Sequence, residues 1–208
     1  MTAQSNDTLK FERRKFEVTD LSQGTLFDPA AYGFSPVRTS TGCHREFECQ
    51  FSVSDGQLFL QTLWINHGDF THSFNPDGSI RSHDLRLLPM PLLNGISATE
   101  KYDNSRFPDF QGRYDGLKLP LSYTGHVLIA ADRISNEPWW GGHHRAWDFH
   151  HSLMLSFEQG RLTAHKDTSE ILQVFDAKYC TDGYLLGDKR RNGLRYIRRH
   201  IGHGFYFF

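Results

Sequence analysis

Residues 138–151 read PWWGGHHRAWDFHH, with three tryptophans and four histidines in fourteen positions. Imidazoles and carboxylates bind metals and carry protons, whereas indole rings are frequent anchors of protein interfaces. The stretch therefore has three readings: a metal site, a partner-binding loop, or core. The metal reading needs its ligands on one face. On a strand, His143 and His144 point to opposite sides, as do His150 and His151. On a helix, His144, Asp148 and His151 fall at i, i+4 and i+7, and two imidazoles with a carboxylate suit zinc or iron(II). Against this, Gly141-Gly142 disfavours a helix start, strand-like alternation begins near His151, and the H-E-x-x-H spacing is absent. The partner reading uses the Gly-Gly hinge, which lets a loop present Trp139, Trp140 and His143 from a rigid scaffold. In the core reading the tryptophans close one end of a sheet.

Other chemistry is thinly supported. There is no G-x-S-x-G elbow. YTGHV and YDGLKL lack the remaining glycine and the Lys-Ser/Thr ending of a phosphate loop. Gly116 and Gly125 read as turn or bulge residues. Cys43, Cys49 and Cys180 form no C-x-x-C pair, so neither a zinc ribbon nor a disulfide scaffold is indicated. Cys49 alternates with Phe47 and Phe51 and should be a buried, inert thiol. Asp132, Glu137 and Asp148 flank the aromatic stretch and serve general acid–base chemistry only if the fold unites them.

The elements that would position these residues are mostly strands. Phe47, Cys49, Phe51 and Val53 alternate up to Asp55-Gly56, and LFLQTLWI runs back, which predicts a hairpin. Asn75-Pro76-Asp77-Gly78 predicts a second turn, between FTHSF and SIRSHDL. Leu153, Leu155 and Phe157 alternate before a turn at Glu158-Gln159-Gly160. YTGHVLIAADRI reads as a strand buried around 127–130. FERRKFEV reads as a strand or a short helix. The Gly- and Pro-rich segment 21–42 reads as an ordered loop pinned by Phe27, Tyr32 and Phe34. Residues 89–122 read as loops and short strands. Helix signals are few: Thr168 is placed to cap a segment carrying Ile171, Val174 and Phe175 at i, i+3 and i+4. KRRNGLRYIRRHIGHGFYFF reads as a basic amphipathic piece or a terminal strand, with its apolar ending docked. The expected fold class is α+β, mainly antiparallel β with several hairpins and one or two helices. Residues 1–10 are expected to be a flexible N-terminus, and 11–208 a single globular domain with a basic C-terminal segment, 178–208.

The chain has 208 residues, 38% hydrophobic and 23% charged, which suits one globular domain. From Lys178 onward seven basic residues meet two acids, whereas the preceding chain carries sixteen basic and twenty-two acidic residues. An acidic body with a short basic tail disfavours a general nucleic-acid binder and permits a basic protein partner. The N-terminus lacks an apolar signal segment, and no run approaches the ~18 apolar residues of a membrane span. The expectation is a cytoplasmic protein with no cofactor, no membrane and no nucleic-acid partner.

Three pieces in order carry a resemblance: LSYTGHVLIAADRI (121–134), the aromatic and histidine stretch, and SLMLSFEQGRLTAHKDTSE (152–170). Their Y-T-G, L-x-F-x-x-G-x-L and D-x-S order is similar to small bacterial proteins of the immunity type, which neutralise a toxin delivered between bacteria. The resemblance implies a binding protein whose partner is a cognate toxin enzyme and which has no reaction of its own. The interface expected from the residues is Trp139, Trp140, Trp147, His143 and His144, with Asp132, Glu137 and Asp148 facing basic toxin residues. The alternatives are a metal-dependent enzyme using His144, Asp148 and His151, and a small-ligand-binding β-barrel with a Phe-lined pocket.

Overall fold

TLKF, at the start of the chain, alternates polar and apolar residues and forms the first strand, β1 (Thr8–Phe11). It turns through Glu12 and Arg13 into β2 (Arg14–Leu21). Both turn residues have positive φ, 48° and 67°, in a two-residue turn that usually takes Asn-Gly. The structure, a computed structural model, describes residues 6–38, 43, 45–74, 77, 80–100, 110–134, 144–180, 189–202 and 205. Among the described residues, the expectation that 1–10 is frayed fails from Asn6 on. Leu9 and Phe11 are buried, and Asp7 accepts a hydrogen bond from the Cys49 backbone at 2.7 Å. FERRKFEV is neither one strand nor a helix; it spans this hairpin.

The hairpin predicted around Asp55-Gly56 is β3 (Phe47–Ser54) and β4 (Gln57–Ile65). One extra residue in β4 shifts the register, so Leu58 and Leu60, then Leu63 and Ile65, all turn inward. A separate ribbon follows, β5 (Gly68–Phe74) against β6 (Ile80–Leu87). Its strands pair as expected, while most of the predicted turn at 75–78 lies outside the described residues. Three short strands succeed it: β7 (Thr99–Glu100), β8 (Gly112–Tyr114) and β9 (Leu119–Pro120). Then come β10 (Gly125–Arg133), β11 (Phe149–Glu158) and β12 (Arg161–Asp167). Two helices end the described chain, α1 (Ser169–Tyr179) and α2 (Lys189–His200).

Ten strands form one sheet, ordered β12-β11-β10-β2-β1-β3-β4-β8-β7 with β9 beside β4. The pairings are antiparallel except β1 against β3. The sheet then meets itself: Arg161 on β12 pairs with Gln57 on β4, so seven strands curl into a barrel closed at one end. Inside it pack Leu9, Phe16, Phe51, Leu60, Ile129 and Leu155, with many others. The barrel of the ligand-binding reading is thus present, and its interior is occupied by side chains.

A second core lies on the outer face of β10 and β11. Leu128 and Trp147 meet Leu172, Phe175, Ile197 and Ile201 of the helical layer. This explains the unbroken apolar run at 127–130: Val127 and Ile129 face the barrel, and Leu128 faces the helices. The helix predicted after Thr168 forms with its buried face displaced by one residue. Leu172 and Phe175 are buried, while Val174 is 43% exposed. Thr168 stands at the N-cap without capping. Its hydroxyl meets the Ser152 hydroxyl at 2.8 Å, and Asp167 accepts from the Ser169 backbone instead. The basic tail resolves as a helix docked through Leu194, Ile197 and Ile201, with Phe205 buried beyond it. No helix among the described residues is long and apolar enough to cross a membrane.

Candidate functional site

The chain leaves β10 at Arg133 and enters β11 at Phe149, so PWWGGHHRAWD is a hairpin connection. Its base is tied. Ile134 donates its backbone N–H to the Asp148 carbonyl at 2.9 Å. Residues Ala146–Asp148 form one 3-10 turn. The Arg145 backbone donates to the Asp148 carboxylate at 2.8 Å, and Asp148 returns its own N–H to the Arg145 carbonyl. Trp147 drives the turn inward. It is 2% exposed, lies 5.0 Å from the Phe175 ring centroid, and has the Arg145 guanidinium over its face.

Trp147 therefore leaves the expected interface: it belongs to the helical core, where a flat ring fills the space between β10 and α1. Trp139, Trp140, His143 and Glu137 lie outside the described residues. His144 sits at the edge of the stem, its carbonyl accepting from Asn6 at 3.2 Å and its ring against Phe149. Asp148 is 18% exposed and has the His144 ring 3.9 Å away. Asp132 is 58% exposed at a left-handed φ of 60°, where it pairs with Arg14 and, at 3.4 Å, with His151. Of the acids expected to meet a basic partner, Asp132 and Asp148 already face groups of the chain itself, and Glu137 lies outside the described residues.

The metal alternative required a helix continuing through His151, and the chain instead becomes a strand at Phe149. His144 stays with Asp148 while His151 turns to Asp132, so the three ligands do not converge. Among the described residues no group of three His, Cys, Asp or Glu side chains is placed to hold an ion. Under the stem lies Glu17, whose carboxyl is raised by burial against the lowering effects of the Asn6 hydrogen bond and Arg133. Burial also raises all three thiols, Cys180 to about 12 and Cys49 well above its ordinary range. A thiol nucleophile needs the opposite shift.

Two further concave surfaces carry polar groups that sequence reasoning passed over. One is a groove of about 550 Å³ over β1 and β3, edged by Lys10, Arg13 and Lys15. The other is a recess of about 160 Å³ between the start of β1, the end of β2 and Arg45, lined by Asp20. Asp20 interrupts the apolar spacing of FEVTDL, and that misfit was its only local signal. A register shift in β2 opposite Leu128 and Ile129 puts it there. Burial pushes its carboxyl from 3.8 to about 7. The folded chain thus holds a proton that the unfolded chain releases, so stability falls as pH rises from about 4 to about 7. Asp20→Asn should therefore gain about 2 kcal/mol at pH 8 and nearly nothing at pH 4 in urea unfolding. Equal gains at both values would refute the assignment.

Comparison with protein-family models, with curated proteins and with solved structures finds no match for this chain.

Proposed function

We propose that the chain is an immunity-type binding protein, acting in the bacterial cytoplasm, that blocks a toxin enzyme by covering its active site or substrate path. One observation carries this reading. The β10–β11 connection is closed at its base by Ile134 and Asp148 and nailed to the helical core by Trp147. The described part of the connection is thereby fixed on the barrel, and ordering it in advance lowers the entropy lost when a partner binds through Trp139, Trp140 and His143. Asp132 stands exposed beside the stem, with His144 at its edge. Burial raises the pKa of all three thiols, so none is prepared as a nucleophile.

The test is protection of growth. The chain is co-expressed with any toxin enzyme found encoded beside its gene, and growth is followed with and without Trp139→Ala/Trp140→Ala. The parent should restore growth, and the double variant should lose protection while keeping the parental melting temperature. Paired aromatic anchors at an interface centre carry roughly 2 kcal/mol or more each, enough for a loss of more than a hundredfold in affinity. Failure of the parent to protect, or full protection by the folded double variant, removes this reading or its interface.

A further inference from the structure

Helix α2 uses only one side to hold itself on the body. Leu194, Ile197 and Ile201 pack in the helical core, and they fall within about 60° of one another around the helix axis. Arg191, Arg195, Arg198 and Arg199 are exposed and share a different arc of about 100°. Their spacing of i, i+4, i+7 and i+8 makes one stripe about 12 Å long.

The stripe has no counter-charge. Among the described residues, none of its four guanidinium groups makes a hydrogen bond or an ion pair. Two acids on the elements beside it are turned elsewhere. Asp176 of α1 hydrogen-bonds with Cys180, and Asp167 of β12 accepts from the Ser169 backbone at 2.8 Å. Lys166 of β12 instead adds a cation at the far end, where its ammonium donates to the His200 carbonyl at 2.7 Å. The arrangement is unfavourable by itself. Arg198 and Arg199, in the last turn, suit the helix dipole, but Arg191 stands in a first turn that holds no acid. Arg191 with Arg195, and Arg195 with Arg199, are like-charge pairs at i, i+4. A polyanion laid along the stripe relieves all of these repulsions together.

We propose that α2 binds the phosphate backbone of a double-stranded nucleic acid, independently of base sequence. Charge density selects this partner. A duplex carries one charge per about 1.7 Å of its axis, so about seven phosphates pass along 12 Å. An extended acidic peptide turns alternate side chains away and offers about two carboxylates over the same length. Guanidinium forks also match phosphate oxygens bidentately. The stripe has no aromatic ring on which unpaired bases could stack, which disfavours a single strand. The apolar face of the helix is spent on the core, so none is left to enter a bilayer. Contacts of this kind hold phosphates and carry no base readout. The net charge of −1 over the whole chain pointed away from nucleic acid, and the fold concentrates positive charge on one face. The stripe uses no residue of the β10–β11 connection, so it is tested without any toxin.

The full chain is titrated at pH 7.5 into a fluorescein-labelled DNA duplex, and into the RNA duplex of the same sequence, over a series of salt concentrations. Anisotropy should give a dissociation constant of roughly 1–100 µM near physiological salt, and a log–log salt slope of about −3.6, as four phosphate contacts require. A duplex of scrambled sequence should bind within about twofold of the first. Arg195→Gln/Arg198→Gln should keep the parental melting temperature, flatten the slope by about 1.8 and weaken binding at least tenfold. Lys10→Gln/Lys15→Gln, which removes two exposed cations from the β1–β2 hairpin, should bind as the parent does. Equal binding of both duplexes supports recognition of the shared phosphates, and a preference for one supports it while naming the duplex form. Absence of binding to either duplex, an unchanged slope in the folded arginine variant, or an equal loss in the lysine variant overturns the proposal. Competition by poly-glutamate that matches duplex charge for charge also overturns it, in favour of an acidic protein.

Discussion

Trp147→Ala should lower the melting temperature by about 10–15 °C, corresponding to roughly 3–5 kcal/mol. The indole is 2% exposed and sits where the 3-10 turn, β10 and the helices meet. Its removal leaves a cavity beside Phe175, whose ring centroid is 5.0 Å away, and takes the stacking surface from Arg145. The damage should be local first. The barrel core shares no residue with the helical core, so hydrogen exchange should show α1 and α2 losing protection before β1, β3 and β4 do. The measurement also separates Trp147 from its neighbours in sequence. An interface residue would weaken partner binding and leave the melt unchanged, and that outcome would return Trp147 to the binding surface.

Gly160→Ala should cost roughly 3–4 kcal/mol, and Gly56→Ala only about 1 kcal/mol, although both glycines have the same left-handed backbone. Their φ values are 78° and 72°. The difference is the barrel seam. Gly160 donates to the Tyr123 carbonyl at 2.7 Å and accepts from Leu58 at 2.9 Å, while Leu162 donates to Gly56 at 2.8 Å. The two predicted turns thus lie against each other, with the segment ahead of β10 wrapped over them. A Cβ on Gly160 would stand 1.7 Å from the Leu121 carbonyl oxygen, whereas one on Gly56 meets nothing within 4 Å. Denaturant unfolding of the two variants compares the collision with conformational strain alone. Equal losses would show that the seam is not closed as described.

Much of the sheet was legible because strand grammar is local. Alternation around Asp55-Gly56 and ahead of Gln159-Gly160 places two hairpins, since a period of two and a left-handed turn residue act over a few positions. The same grammar was available in TLKF and went unread, because a polar N-terminus resembles a frayed one until Leu9 is seen in the barrel. The single-domain α+β reading rested on this grammar and on few helix signals, and the mainly antiparallel sheet with two helices agrees with it.

The aromatic and histidine stretch was legible only as a set of side chains. Composition could not separate Trp147 from Trp139 and Trp140, because all three carry the same chemistry. What separates Trp147 is a layer of helices more than twenty residues downstream, whose apolar face needs something to bury against. The candidate metal face dissolved for a similar reason: β10 imposes strand geometry on residues from Phe149 onward and turns His151 toward Asp132. The sequence by itself determined the turns at Asp55-Gly56 and Gln159-Gly160, the alternating strands beside them and the helix after Thr168, which depend on neighbours within about ten residues. Only the tertiary structure decided the parallel β1–β3 pairing, the β4–β12 seam, the burial of Trp147 and the pairing of Asp20 with Leu128. Each of these joins segments far apart in the chain, where burial and hydrogen-bond satisfaction across the whole fold outweigh local preference.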